Sequence, residues 1–171
     1  WKLHYYDGTG NGTIHADNGA ARWDDDTTDP DEPNGVMCLR DGFDTDTDNQ
    51  VVSVVHETPQ EFSAPVTCFN DIWARCNTDG SGDWDGDGIR LRYGFGVLIL
   101  SRFNNFVETV MCAPLLNAMI IPPLWGEKFT LVAGYEGDPR KFKVLRNGVC
   151  ILSFTETGTG SALGADQRGA G

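Results

Sequence analysis

Long apolar runs are missing from this sequence. The longest, residues 94–100, is far short of the ~20 residues that a membrane-spanning helix needs, so helical insertion into a membrane is excluded. Basic residues are scarce. Thirteen Lys and Arg stand against 25 Asp and Glu, a net charge of −12. Affinity for phosphate backbones comes from Lys and Arg, so nucleic acid is excluded as a partner. Cysteines are few and unpaired in pattern: Cys38, Cys68, Cys76, Cys112 and Cys150 are odd in number, and no two have C-x-x-C or zinc-ligand spacing. Most sit in apolar runs, where a thiol acts as a small core residue, so reduced, mostly buried thiols and a reducing site of synthesis are expected. No segment holds a helical period with caps. No basic leader followed by an apolar run opens the chain, and the first residue is Trp1 rather than Met. The 171 residues are expected to form one domain, 1–171, cut from a longer protein.

What is present is β patterning. Leu91, Tyr93, Phe95, Val97 and Ile99 alternate with Arg90, Arg92, Gly94 and Gly96, which predicts one strand over 90–100 with one face buried. Phe129, Leu131, Ala133 and Tyr135 alternate in the same way. Asn147-Gly148 separates two apolar runs and predicts a tight hairpin with positive φ at both turn residues. That hairpin would set Leu145 opposite Cys150 and Val144 opposite Ile151. Further strands are expected near 3–6, 12–15, 20–23, 36–39, 51–55, 66–76, 106–112 and 117–121. The 21 glycines and 8 prolines supply the turns between them. Many short strands at regular spacing predict an all-β antiparallel sandwich or barrel.

Charge is unevenly spread. Residues 1–90 hold 19 acids and 5 bases, a balance of −14; residues 91–171 hold 6 acids and 8 bases, a balance of +2. The acids concentrate in two low-complexity segments, 23–33 and 77–88. Such runs solubilise loops; alternatively, they bind a cation or face a partner.

Three stretches carry a resemblance: residues 45–55, residues 128–144 and residues 147–171, the last closing on Arg168-Gly169-Ala170-Gly171. Together they resemble the lectin-like sandwich domain of minor tail proteins from phages that infect actinobacteria. The resemblance implies a jelly roll of the concanavalin A type and a place in the virion, in the tail rather than the head. It also implies synthesis in the host cytoplasm. The partners it implies are other virion proteins, further copies of the chain and a host-surface glycan. In such domains a further sheet strand follows the Arg-Gly-x-Gly segment. A capsid decoration or head-fibre protein, and a calcium-dependent carbohydrate-binding module, are the alternatives.

Three kinds of chemistry are open to these residues. Asp83, Asp85 and Asp87-Gly88 form D-x-D-x-D-G, the opening of a loop in which alternate carboxylates converge on Ca²⁺. The twelfth position counted from Asp83 is Gly94 rather than the bidentate Glu of such loops. Asp79 could be recruited instead, and the plainer reading is an acidic hairpin loop with no cofactor. Glycoside hydrolysis needs two carboxylates roughly 5–5.5 Å apart for retention. The available pairs, Glu57/Glu61, Glu136/Asp138 and Asp31/Glu32, are interrupted by Pro59, placed at a Gly137 turn or adjacent in sequence. Gly80-Ser81-Gly82 lacks nucleophile-elbow spacing, and His4, His15 and His56 lie in separate segments, so no catalytic residue and no enzymatic activity are expected. The third kind is sugar binding by an aromatic platform with loop acceptors. Trp84, inside a charged loop, leads, with Asp79 beside it and Trp23 next to Asp24-Asp25-Asp26 as the second ring. Either ring could instead fold back over a sandwich end.

Overall fold

A computed structural model describes residues 2–7, 13–17, 20–24, 35–39, 47–56, 70–77, 84–94, 97–112, 126–158 and 169–170, with side chains described between residues 47 and 158. The chain divides into two compact units, Trp1–Asp41 and Gly42–Gly171. All thirteen elements among the described residues are β-strands.

In the first unit, β1 (Lys2–Asp7) pairs antiparallel with β4 (Gly35–Leu39), setting Leu3 opposite Cys38. Strands β2 (Thr13–Asp17) and β3 (Ala20–Asp24) form a hairpin closed by Asp17 opposite Ala20. The two residues that connect them, 18–19, lie outside the described residues.

The second unit is a β-sandwich. One sheet runs in the order β12 (Val149–Thr155), β11 (Asp138–Arg146), β10 (Lys128–Tyr135), β5 (Gln50–Val55). The other runs β13 (Gly169–Ala170), β6 (Asn70–Cys76), β7 (Gly88–Gly94), β8 (Val97–Asn104), β9 (Val107–Cys112). All pairings are antiparallel. Alternation fills the space between the sheets. The row Val52–Leu131–Val144–Leu152 faces the row Ile72–Leu91–Leu100–Cys112, and Tyr93 stacks on Phe129 at 4.2 Å between centroids. Leu91, Leu100, Leu131, Phe142 and Val144 are fully buried, each stabilising the fold by about 1.5–3 kcal/mol relative to exposure.

The strand expected over 90–100 is two strands. β7 and β8 form a hairpin in which Gly94, at φ 144°, pairs with Val97, and residues 95–96 lie outside the described residues. The reversal changes which residues face in. Leu91 and Tyr93 pair with Leu100 and Leu98, so the inward residues of β8 are the even-numbered ones and Val97 and Ile99 face away from the core. The sequence alternates straight through the turn, which hides it.

The Asn147-Gly148 hairpin forms as expected, with φ of 51° and 82°. Leu145 pairs with Cys150, but Val144 pairs with Leu152, leaving Ile151 as a bulge. An unbulged register would turn Ile151 and Ser153 inward. The bulge instead sets Leu152 and Phe154 against the core. Two further hairpins turn on paired left-handed residues: Glu136-Gly137 joins β10 to β11, and Asn105-Phe106 joins β8 to β9. Gly169–Ala170, part of the closing segment expected to lead into a strand, is itself the strand that pairs with β6. The strand expected over 66–76 is described from Asn70 as β6, and its first residues, 66–69, lie outside the described residues, as does the strand expected near 117–121.

Candidate functional site

The segment before β7 was the leading candidate, and it is organised by Asn77. The Asn77 carbonyl accepts from Asp85 N at 3.2 Å, its Nδ2 donates to Asp85 Oδ2 at 3.0 Å, and its Oδ1 accepts from Asp87 N at 3.0 Å. Asp87 Oδ1 then accepts from Asn105 N at 2.6 Å, and Gly86 O accepts from Phe106 N at 2.9 Å. The segment is thereby tied to the β8–β9 turn. Gly86, at φ 86°, permits the approach: a Cβ there would lie 2.6 Å from Phe106 N.

Trp84 corrects the expectation of an exposed platform. Its residue is only 7% exposed, its Nε1 donates to Asp87 O at 2.7 Å, and its ring packs edge-on against Trp73, Phe103 and Phe106 at 5.2–5.9 Å. These rings lie on the face of the five-stranded sheet turned away from the main core. The Arg90 guanidinium sits 4.9 Å from the Phe103 centroid and pairs with Glu108, which also accepts from Ser101 Oγ at 2.6 Å. The charged loop therefore serves as a cap over a second aromatic cluster.

Asp85 and Asp87 each commit a carboxylate oxygen to an N–H donor. Among the described residues no three His, Cys, Asp or Glu are grouped to hold a metal ion. Asp79 and Asp83, the remaining acids of the expected calcium loop, lie outside the described residues. Trp23 lies in β3 opposite Ile14, and its side chain is outside the described residues. Of the carboxylate pairs, Glu136 and Asp138 flank the β10–β11 turn. Glu136 accepts from Lys141 Nζ at 3.1 Å and Asp138 from Arg140 N at 2.9 Å. Cys76 is buried and Cys112 partly so, and burial pushes both thiols up; Cys150 is exposed despite its apolar neighbours in sequence, and the side chains of Cys38 and Cys68 lie outside the described residues.

Sequence reasoning missed two clusters of polar residues. The first is Arg75, fully buried at a bulge where β6 pairs with β13, with φ 54°. The bulge aims its guanidinium across the sandwich. Nε donates to Asp48 O at 2.8 Å and Nη2 to Pro139 O at 2.6 Å, while the backbone N donates to Gln50 Oε1 at 2.8 Å. Nη1 has no hydrogen-bond partner. Burial lowers its pKa to about 10, against the pull of Asp48 and Glu156. It remains charged at neutral pH.

The second cluster covers the outward face of the four-stranded sheet. The row Val51–Val132–Lys143–Ser153 faces away from the core. Lys143 Nζ lies 3.8 Å from the Tyr135 ring centroid and Lys141 Nζ 5.5 Å from it, and Tyr135 Oη shares a 3.1 Å hydrogen bond with Ser153 Oγ. The positive balance of residues 91–171, together with Lys141 and Lys143 two apart on one strand, is the signal that could have found it.

A two-sheet antiparallel sandwich with a capped outer aromatic cluster defines the class of protein. The chain belongs to the family described as a domain of unknown function (DUF7257), whose profile matches residues 1–171. No curated protein and no solved structure matches the chain.

Proposed function

We propose that this chain is a structural and adhesive domain of a bacteriophage virion, placed in the tail, where it contributes to host-surface recognition without catalysis. The observation that carries the reading is the antiparallel sandwich itself, to which all three stretches that resemble lectin-like tail domains contribute: strands β5, β10, β11 and β12 build its four-stranded sheet. A jelly-roll connection of the concanavalin A type is part of the proposal. Such sandwiches present binding groups from rigid strands, which holds a recognition surface at little entropic cost.

The test is particle imaging. Gold-labelled antibody raised against residues 42–171 should decorate the tail of intact virions. Labelling confined to the capsid would move the chain to the decoration or head-fibre alternative, and failure to label any particle would end the virion reading.

A further inference from the structure

We propose that the outward face of the four-stranded sheet binds an anionic polysaccharide through Lys141, Lys143 and Tyr135. The inference rests on the adhesive reading and names the chemistry of the ligand.

Charge sets this sheet apart from the rest of the chain. Its outward positions hold Lys128, Lys141 and Lys143, within a chain of net charge −12, while Arg140 and Arg146 stand at the inward positions of β11. Arg146 is taken up by a bidentate pair with Glu127, and Lys141 is shared with the exposed Glu136. Lys128 and Lys143 make no ion pair among the described residues.

The geometry is fixed by strands rather than loops. Lys143 is held opposite Val132 and Ser153, and Lys141 opposite Thr155. The Tyr135 ring steadies the Lys143 ammonium by a cation–π contact that leaves its N–H donors available to an anion. Tyr135 Oη and Ser153 Oγ add hydroxyls that can exchange hydrogen bonds with sugar hydroxyls, and exposed Thr155 extends the row. A polymer of sugars bearing phosphate or carboxylate groups matches both features: charge for the ammoniums and hydroxyls for Ser153, Thr155 and Tyr135. Ser153 and Thr155 are exposed, and Tyr135, Lys141 and Lys143 are half-buried. The negative balance of the remaining chain disfavours a polymer as densely charged as duplex nucleic acid, which carries one negative charge per ~1.7 Å of axis.

The test is retention of the full chain on immobilised polygalacturonate, a phosphomannan, neutral dextran and duplex DNA, at low and at near-physiological ionic strength. The expected result is salt-sensitive retention on at least one of the two anionic polysaccharides and none on dextran. The pattern between those two identifies carboxylate or phosphate as the charged group. K141Q/K143Q, with an unchanged denaturation midpoint, should weaken retention by about tenfold, since two counterion-releasing contacts are lost. Lys143→Arg should preserve it. Tyr135→Phe should weaken it less, by loosening the contact with Ser153. Retention of folded wild type on neither polysaccharide, retention untouched by K141Q/K143Q, or tighter retention on DNA would overturn the proposal. Salt-sensitive self-association abolished by K141Q/K143Q, without polysaccharide binding, would also overturn it and make another copy's acidic half the occupant. A chain found outside the tail that still shows the lysine-dependent retention would remove the tail reading and leave this one standing.

Discussion

Removing the Trp84 indole would open a void between Trp73, Phe103 and Phe106 and release the Asp87 carbonyl from its donor. Trp84→Ala should therefore cost about 3–5 kcal/mol in urea unfolding, the range for buried aromatic truncation. A cost below about 1 kcal/mol would mean the ring is not packed. Arg75→Met keeps much of the volume but strips the Asp48 and Pro139 carbonyls of their donor, and should destabilise by about 2–4 kcal/mol in the same measurement. His56 gives a pH dependence. Its ring lies edge-on to Tyr93, and burial lowers its pKa below the ordinary imidazole value, against the pull of Glu127. The unfolded chain then takes up the proton first as pH falls. Stability should be full above the unfolded value of about 6.5 and should fall as pH drops through and below it, levelling off once the folded pKa is passed. His56→Gln should flatten that part of the profile; an unchanged slope would assign it to other groups.

At the scale of elements, two glycines separate backbone strain from collision. Gly148 sits at φ 82° with open space around its would-be Cβ, so Gly148→Val should cost only the left-handed strain, about 1–2 kcal/mol. Gly134 has the same φ, but a Cβ there would lie 2.1 Å from Asn49 Oδ1 and 3.0 Å from Arg75 Nη2. Gly134→Ala should therefore destabilise more than Gly148→Val, and a reversed order in denaturation midpoints would contradict the packing described for Arg75. These elements also mark what the sequence made legible. The Asn147-Gly148 turn and the alternation of β10 were readable because local chemistry fixes them. The β7–β8 reversal was not, since Gly94-Phe95-Gly96 keeps the apolar period running through the turn. The bulge at Ile151 depends on which of two registers buries more apolar surface, a property of the opposite sheet. At the candidate site, Trp84 drew notice because its neighbours are charged. Its burial follows from partners 11 to 22 residues away, Trp73, Phe103 and Phe106, and no local pattern reports them. The Tyr135–Lys143 pair was missed for a similar reason, because a bend at the β10–β11 turn brings together residues that strand period alone would leave apart.

On the scale of the whole molecule, the polarity of the chain is the property that bears on function. The first ninety residues carry −14, while the outward positions of one sheet hold Lys128, Lys141 and Lys143. If the proposed lysine face carries attachment, that attachment should weaken as ionic strength rises. The most direct measurement of the adhesive account is competition. Purified chain, preincubated with host cells, should slow adsorption of the parent phage in a saturable and salt-dependent way, and K141Q/K143Q should compete less well. Adsorption unchanged at saturating concentrations of folded chain would contradict it.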